Sequence, residues 1–144
     1  MYDACIRSVL LYGSENWALT RRLEQVITSC DRRMLRHMAG VSLRDRVTSE
    51  EVAGRCGLQQ ICAALRRRRL RWFGHVYRME EGEVLAEVRD IEVEGGRPRG
   101  RLKNTWRDTV RDDMRELGIR EDLARDRDEW RRAIDRLTSH GGNI

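Results

Sequence analysis

Proline occurs once, at Pro98, phenylalanine once and lysine once, at Lys103, while aromatic residues reach only 6% of the 144. Scarce strand-favouring aromatics and a single proline argue against a sheet-built domain, and with twelve glycines they point to helices joined by glycine-containing turns. The expected fold is all-α, or mainly α. No apolar run approaches the roughly 18 residues of a membrane span, so no membrane partner is expected. The four cysteines, at 5, 30, 56 and 62, follow no disulfide-framework spacing and no apolar leader precedes them. Free thiols in a reducing compartment, nuclear or cytoplasmic, are therefore expected.

A chain of this length with 40% hydrophobic residues can bury one modest core or two small helical lobes, and is too short for a complete polymerase. What it has in quantity is charge: 37% of its residues, net +5, with the positive side almost wholly arginine. Residues 1–75 carry a balance of +7 and residues 76–144 one of −2. Guanidinium is a planar fork that pairs with phosphate and stacks on bases, which suits nucleic-acid contact. GC-rich coding DNA, which favours arginine over lysine codons, accounts for the bias equally well.

Periodicity sets out the helices. Tyr2 to Tyr12 places Ile6, Val9 and Leu10 at helical spacing before Gly13 and Ser14 stop it. Thr20 can cap a second helix that runs to Gly40, with Leu23, Ile27, Cys30, Met34 and Met38 on one face and Arg22, Arg32, Arg33 and Arg36 on the other. Ser49 can cap a short helix closed by Gly57, with Glu50 and Glu51 complementing its dipole. From Leu58 the apolar positions Ile61, Leu65, Trp72, Val76 and Met79, widened by Leu70 and Phe73, predict a long fourth helix that leaves Arg66, Arg67 and Arg71 outward. Residues 80–94 fit a short helix or a strand equally. Thr105 or Asn104 can cap a helix lined by Trp106, Val110, Met114 and Leu117 and ended by Gly118. The last helix, about Glu121 to Leu137, aligns Leu123, Trp130, Ile134 and Leu137.

Two basic stretches stand out. RRRRLRWFGHVYRM, residues 66–79, concentrates arginine, ring side chains and His75, and GGRPRGRLKN, residues 95–104, is a glycine- and proline-containing basic loop. That loop is the best candidate boundary. The expected division is 1–40, 41–94 and 95–144.

Catalytic chemistry finds little support. Asp112 and Asp113 are adjacent on a helix and so point about 100° apart, a poor start for the paired cations of a two-metal site. Cys56, Cys62 and His75, with Cys30 or His37, lack the tight pair spacing of zinc ligands, and Cys30 and Cys62 fit buried apolar positions. No nucleophile motif is present, and His75 reads as a hydrogen-bonded structural residue near a helix end. No metal or cofactor is expected. What remains is binding: each basic stretch runs into a tryptophan, Trp72 or Trp106, and phosphate contact with base stacking needs those two ingredients. Both tryptophans also lie on apolar stripes, where core packing is their expected role.

LLYGSENW at 10–17, CDRRMLRHMAGV at 30–41, LRWFGHVYRM at 70–79, GGRPRGRLKNTW at 95–106 and DRDEW at 126–130 together resemble the C-terminal region of non-LTR (LINE-type, RTE-like) retrotransposon endonuclease/reverse transcriptase polyproteins. The resemblance runs nearly end to end. It implies a position downstream of the polymerase palm, with residues 1–40 like the end of the thumb and the remainder like the tail that follows. Neither the palm's paired aspartates nor the endonuclease is present, so no catalytic residue is carried over and no enzymatic activity is expected. The resemblance implies a non-catalytic role in holding RNA or DNA during target-primed reverse transcription, with RNA, DNA and the rest of the polyprotein as partners. The motif positions are Gly74, His75, Gly96, Pro98, Gly100 and Trp106, and the expected phosphate contacts are Arg66, Arg67, Arg71, Arg78, Arg97, Arg99, Arg101 and Lys103. The competing expectation is a docking piece, or a relic of a decayed element, in which arginines and acids pair within the molecule.

Overall fold

The computed structural model describes residues 2–79 and 105–139, and among them every regular element is helical. The predicted all-α class holds. Residues 80–94 and the basic loop, with Gly96, Arg97, Pro98, Arg99, Gly100, Arg101 and Lys103, lie outside the described residues.

A π-helical turn, Asp3–Arg7, leads into a single α turn, Ser8–Leu10 (α1), and the chain reverses at Gly13, whose φ of 67° is left-handed backbone. The long helix α2, Arg21–Met38, starts where Thr20 accepts the backbone N–H of Leu23. Helix α3, Ser49–Arg55, is capped by Thr48, one residue before the predicted Ser49. Thr48 accepts from the Glu51 N–H while the Glu51 carboxylate accepts from the Thr48 N–H, a reciprocal pair that fixes the start. Helix α4, Ile61–Tyr77, is followed by α5, Trp106–Leu117, which has the same reciprocal cap between Thr105 and Asp108 and ends at left-handed Gly118. The predicted last helix is two elements. A 3-10 turn, Glu121–Arg125, precedes α6, Arg127–Ser139, and Asp126 accepts the N–H groups of Asp128 and Glu129 between them.

Helix α4 is the spine. Its first half buries Ile61 and Leu65 with Leu11, Leu19, Trp17 and Ile27, and its second half buries Leu70 and Phe73 with Val110, Met114, Ile119, Ala124, Trp130 and Ile134. Tyr2, Leu35, Val52 and Ala53 form a further cluster between the N-terminal turn, α2 and α3. A residue on α4 thus meets side chains from several directions, so its buried surface is wider than a single stripe.

Three predicted faces are rotated. In the N-terminal turn Ile6 and Val9 are exposed, whereas Tyr2, Arg7 and Leu11 are buried. On α2 Leu23, Cys30 and Met38 are exposed and Leu35 and Asp31 are buried. The physical reason is a polar network: buried Asp31 accepts from Tyr2 Oη at 2.9 Å and from Arg7 at 3.2 Å, while Arg7 also donates to the Gln59 carbonyl at 2.5 Å. A charged pair whose members bond each other and neighbouring groups can occupy the inward face that apolar counting gives to its neighbours. On α4 the predicted Ile61, Leu65, Leu70 and Phe73 are buried, but Trp72 and Val76, and Met79 beyond the helix end, are half-buried, and Arg69 and Gly74 join the inward positions.

Candidate functional site

The arginine run on α4 meets acids from the helices packed around it. Arg69, 1% exposed, donates from Nε to Asp113 Oδ2 at 2.7 Å and from Nη2 to Oδ1 at 3.0 Å. Arg66 Nε lies 3.4 Å from the same carboxylate, and its Nη2 lies 2.5 Å from Glu116 Oε2. Arg67 and Arg71 both reach Asp135 Oδ1, at 3.6 and 3.1 Å. Arg68 donates to the Leu11 carbonyl at 3.0 Å. Arg66, Arg67 and Arg71, expected to face outward, are held against carboxylates of α5 and α6. Their self-repulsion is relieved inside the molecule. Burial pushes the Asp113 carboxyl above its ordinary range, against the pull of Arg69 and Arg66.

Past Arg71 the helix turns a different surface outward. Arg71, His75, Arg78 and Met79 form one wall of a cleft of about 680 Å³, with Arg127 and Arg131 of α6 across from them and Trp130 among its lining residues. Among the described residues, no carboxylate lines the cleft. Asp135 stands behind the cleft, within 3.1 Å of Arg71 and 3.9 Å of Arg131. Arg78 donates to the Ala124 carbonyl at 2.6 Å, which ties the end of α4 to the 3-10 turn. The backbone N–H groups of Glu129 and Asp128 hold the Asp126 carboxyl below its ordinary range, helped by nearby Arg132 and Arg78. His75 is exposed and its ring lies 5.3 Å from that of Trp72, tilted by 48°.

Gly74 explains how the two walls come so close. A Cβ at this position would collide with the Trp130 indole, whose Nε1 donates to the Leu70 carbonyl at 2.9 Å. The motif glycine therefore serves packing. Trp106 serves it too, half-buried against Phe73 and donating to the Glu15 carbonyl at 2.6 Å.

Of the predicted contact residues, the structure brings Arg71 and Arg78 into the cleft beside His75, and leaves Arg66 and Arg67 at the α5 and α6 carboxylates. Arg127 and Arg131 escaped the sequence reading. Their one-turn spacing was legible, but the interleaved acids Asp126, Asp128 and Glu129 disguised them as an ordinary mixed face. The four thiols are free as expected, but Cys30, expected to be buried, is exposed like Cys5, and Cys62 is only half-buried like Cys56. Among the described residues, no three histidine, cysteine, aspartate or glutamate side chains converge to hold a metal ion, and no helix is long and apolar enough to cross a membrane.

The chain is 26% identical over 157 aligned residues to a Caenorhabditis elegans protein whose name describes it as transposon-derived and uncharacterised. The match takes in 97% of this chain and 54% of that protein, so the chain spans about half its relative's length. No family model matches the chain, and no solved structure matches it.

Proposed function

We propose that this chain is a helical accessory region of a non-LTR retrotransposon reverse transcriptase polyprotein, and that it holds RNA or DNA without acting on it. The similarity to a transposon-derived protein supports the transposon origin. The observation that carries the binding role is the cleft between α4 and α6, where four arginines and His75 gather and, among the described residues, no carboxylate joins the lining. Guanidinium groups presented from two sides suit phosphate oxygens, which accept two-point hydrogen bonds from them. Among the remaining arginines of α4, Arg66, Arg67 and Arg69 meet carboxylates of the same chain and Arg68 meets the Leu11 carbonyl, which suits a role in folding.

Engagement of three or four cations predicts that log affinity for a single strand falls with log salt at a slope of about −2 to −3. Binding of a fluorescent oligonucleotide, measured by anisotropy across a salt series, tests this. A flat response, or no binding at low salt, rejects it.

The pairing of Arg66, Arg67 and Arg69 with Asp113, Glu116 and Asp135 favours a second reading, a docking piece without nucleic-acid affinity. The same titration separates the two.

A further inference from the structure

We infer that the α4–α6 cleft is a single-strand site, taking one or two unpaired nucleotides with a phosphate between its arginine walls and a base against His75. This rests on the nucleic-acid reading above and adds the form of the ligand.

Three observations support it. The first is shape. A duplex presents a convex backbone, and its major groove, about 12 Å wide, receives a protruding helix. Here two helices flank a hollow, which is the opposite relief, and its volume of about 680 Å³ falls within the roughly 300–1,000 Å³ of sites that enclose small ligands.

The second is the placing of charge. Arg71 and Arg78 belong to one wall, and Arg127 and Arg131, one helical turn apart, to the other. A phosphate inside the cleft is met from both sides, whereas one on a duplex surface reaches only the rim. Asp135 behind Arg71 and Arg131, and Asp126 near Arg78, offset part of this charge, yet among the described lining residues the charged side chains are arginines.

The third is a ring at the edge. His75 lines the cleft, is exposed, and is backed by the Trp72 ring at 5.3 Å. Cationic grooves that hold single strands combine phosphate contacts with rings on which splayed bases stack. A paired base has both faces covered by its neighbours and cannot use such a ring.

The test measures binding of the full chain at low salt to a ten-nucleotide single strand, the corresponding duplex, and an abasic strand of equal length. The expected result is single-strand binding tighter than either by about tenfold. His75→Ala should weaken single-strand binding about fivefold or more, and His75→Phe should retain it. Arg127→Ala and Arg131→Ala should each weaken it about threefold to tenfold, while Arg22→Ala on the outer face of α2 should not. Equal affinity for strand and duplex, unchanged by His75→Ala, overturns the inference and leaves the broader nucleic-acid reading intact. Binding to none of the three ligands overturns both. Circular dichroism on each variant guards against misfolding, since His75, Arg127 and Arg131 are exposed.

Discussion

Arg69 and Asp113 meet as a two-point fork in the interior, one from the middle of α4 and the other from the inward face of α5. A pair so enclosed matters more for the mutual neutralisation of its charges than for its net energy. Without Asp113 the Arg69 guanidinium would stay buried with no opposite charge bonded to it, and without Arg69 the Asp113 carboxylate would keep only Arg66, 3.4 Å away.

Replacing Arg69 with Met should therefore destabilise the fold by about 3–5 kcal/mol at neutral pH, while Arg69→Met with Asp113→Leu should recover much of the loss. The single variant's deficit should shrink in acid. A carboxyl raised by burial costs stability above its raised folded value, and that cost disappears as protonation becomes complete below its ordinary value of 3.8. Urea denaturation at pH 7 and pH 4 measures both effects, and a double variant no better than the single one would count against the account.

Gly74→Ala drives a methyl group into the Trp130 indole. The expected cost is about 1–3 kcal/mol, or a melting temperature lower by several degrees. Near-ultraviolet circular dichroism should change with it, because the Trp130 ring must move. An unaltered melting curve would mean that α4 and α6 are not packed this closely.

Three caps set the acid limb of stability. Backbone N–H groups hold Asp45, Glu51 and Asp126 below their ordinary values of 3.8, 4.5 and 3.8. Because the folded values are depressed, the stability they add is full above the ordinary values and is lost as pH falls through the folded ones. Asp126→Asn keeps an oxygen that can accept the same bonds but does not titrate, so the variant should lose less stability than the wild type between pH 5 and pH 3. Thermal melts over that range decide it.

The four thiols should divide by accessibility. Cys5 and Cys30 are exposed and Cys56 and Cys62 half-buried, so a chromogenic disulfide reagent should titrate two thiols quickly and two more slowly in the native protein. Denaturant should merge the phases. Four equal rates without denaturant would contradict the burial of Cys62 beside the Thr28 hydroxyl, 3.2 Å away.

Helix ends were largely legible from local chemistry. Thr20 and Thr105 cap the helices predicted for them, and Gly13, Gly57 and Gly118 turn the chain in left-handed backbone. Helix faces were less so. Apolar counting found Ile61, Leu65, Leu70 and Phe73, which are buried, but ran on through Trp72 and Val76, which are half-buried, and passed over Arg69, which lies inward midway between Leu65 and Phe73. An arginine belongs in that series only because Asp113 waits 44 residues later. Hydropathy records the cost of burying a charge and says nothing of its partner. The cleft was hidden for the same reason: Arg71, His75 and Arg78 lie in one motif, but Arg127 and Arg131 join them only through tertiary packing.

The hydrogen bond from Trp106 to the Glu15 carbonyl joins groups 91 residues apart. During synthesis at about 5–20 residues per second, Glu15 is joined to the chain about 5–18 seconds before the indole that will cover it. In that interval Leu70 and Phe73 also lack their partners from α5 and α6. The nascent chain therefore carries an unfinished apolar spine for seconds, until α5 and α6 arrive to cover it.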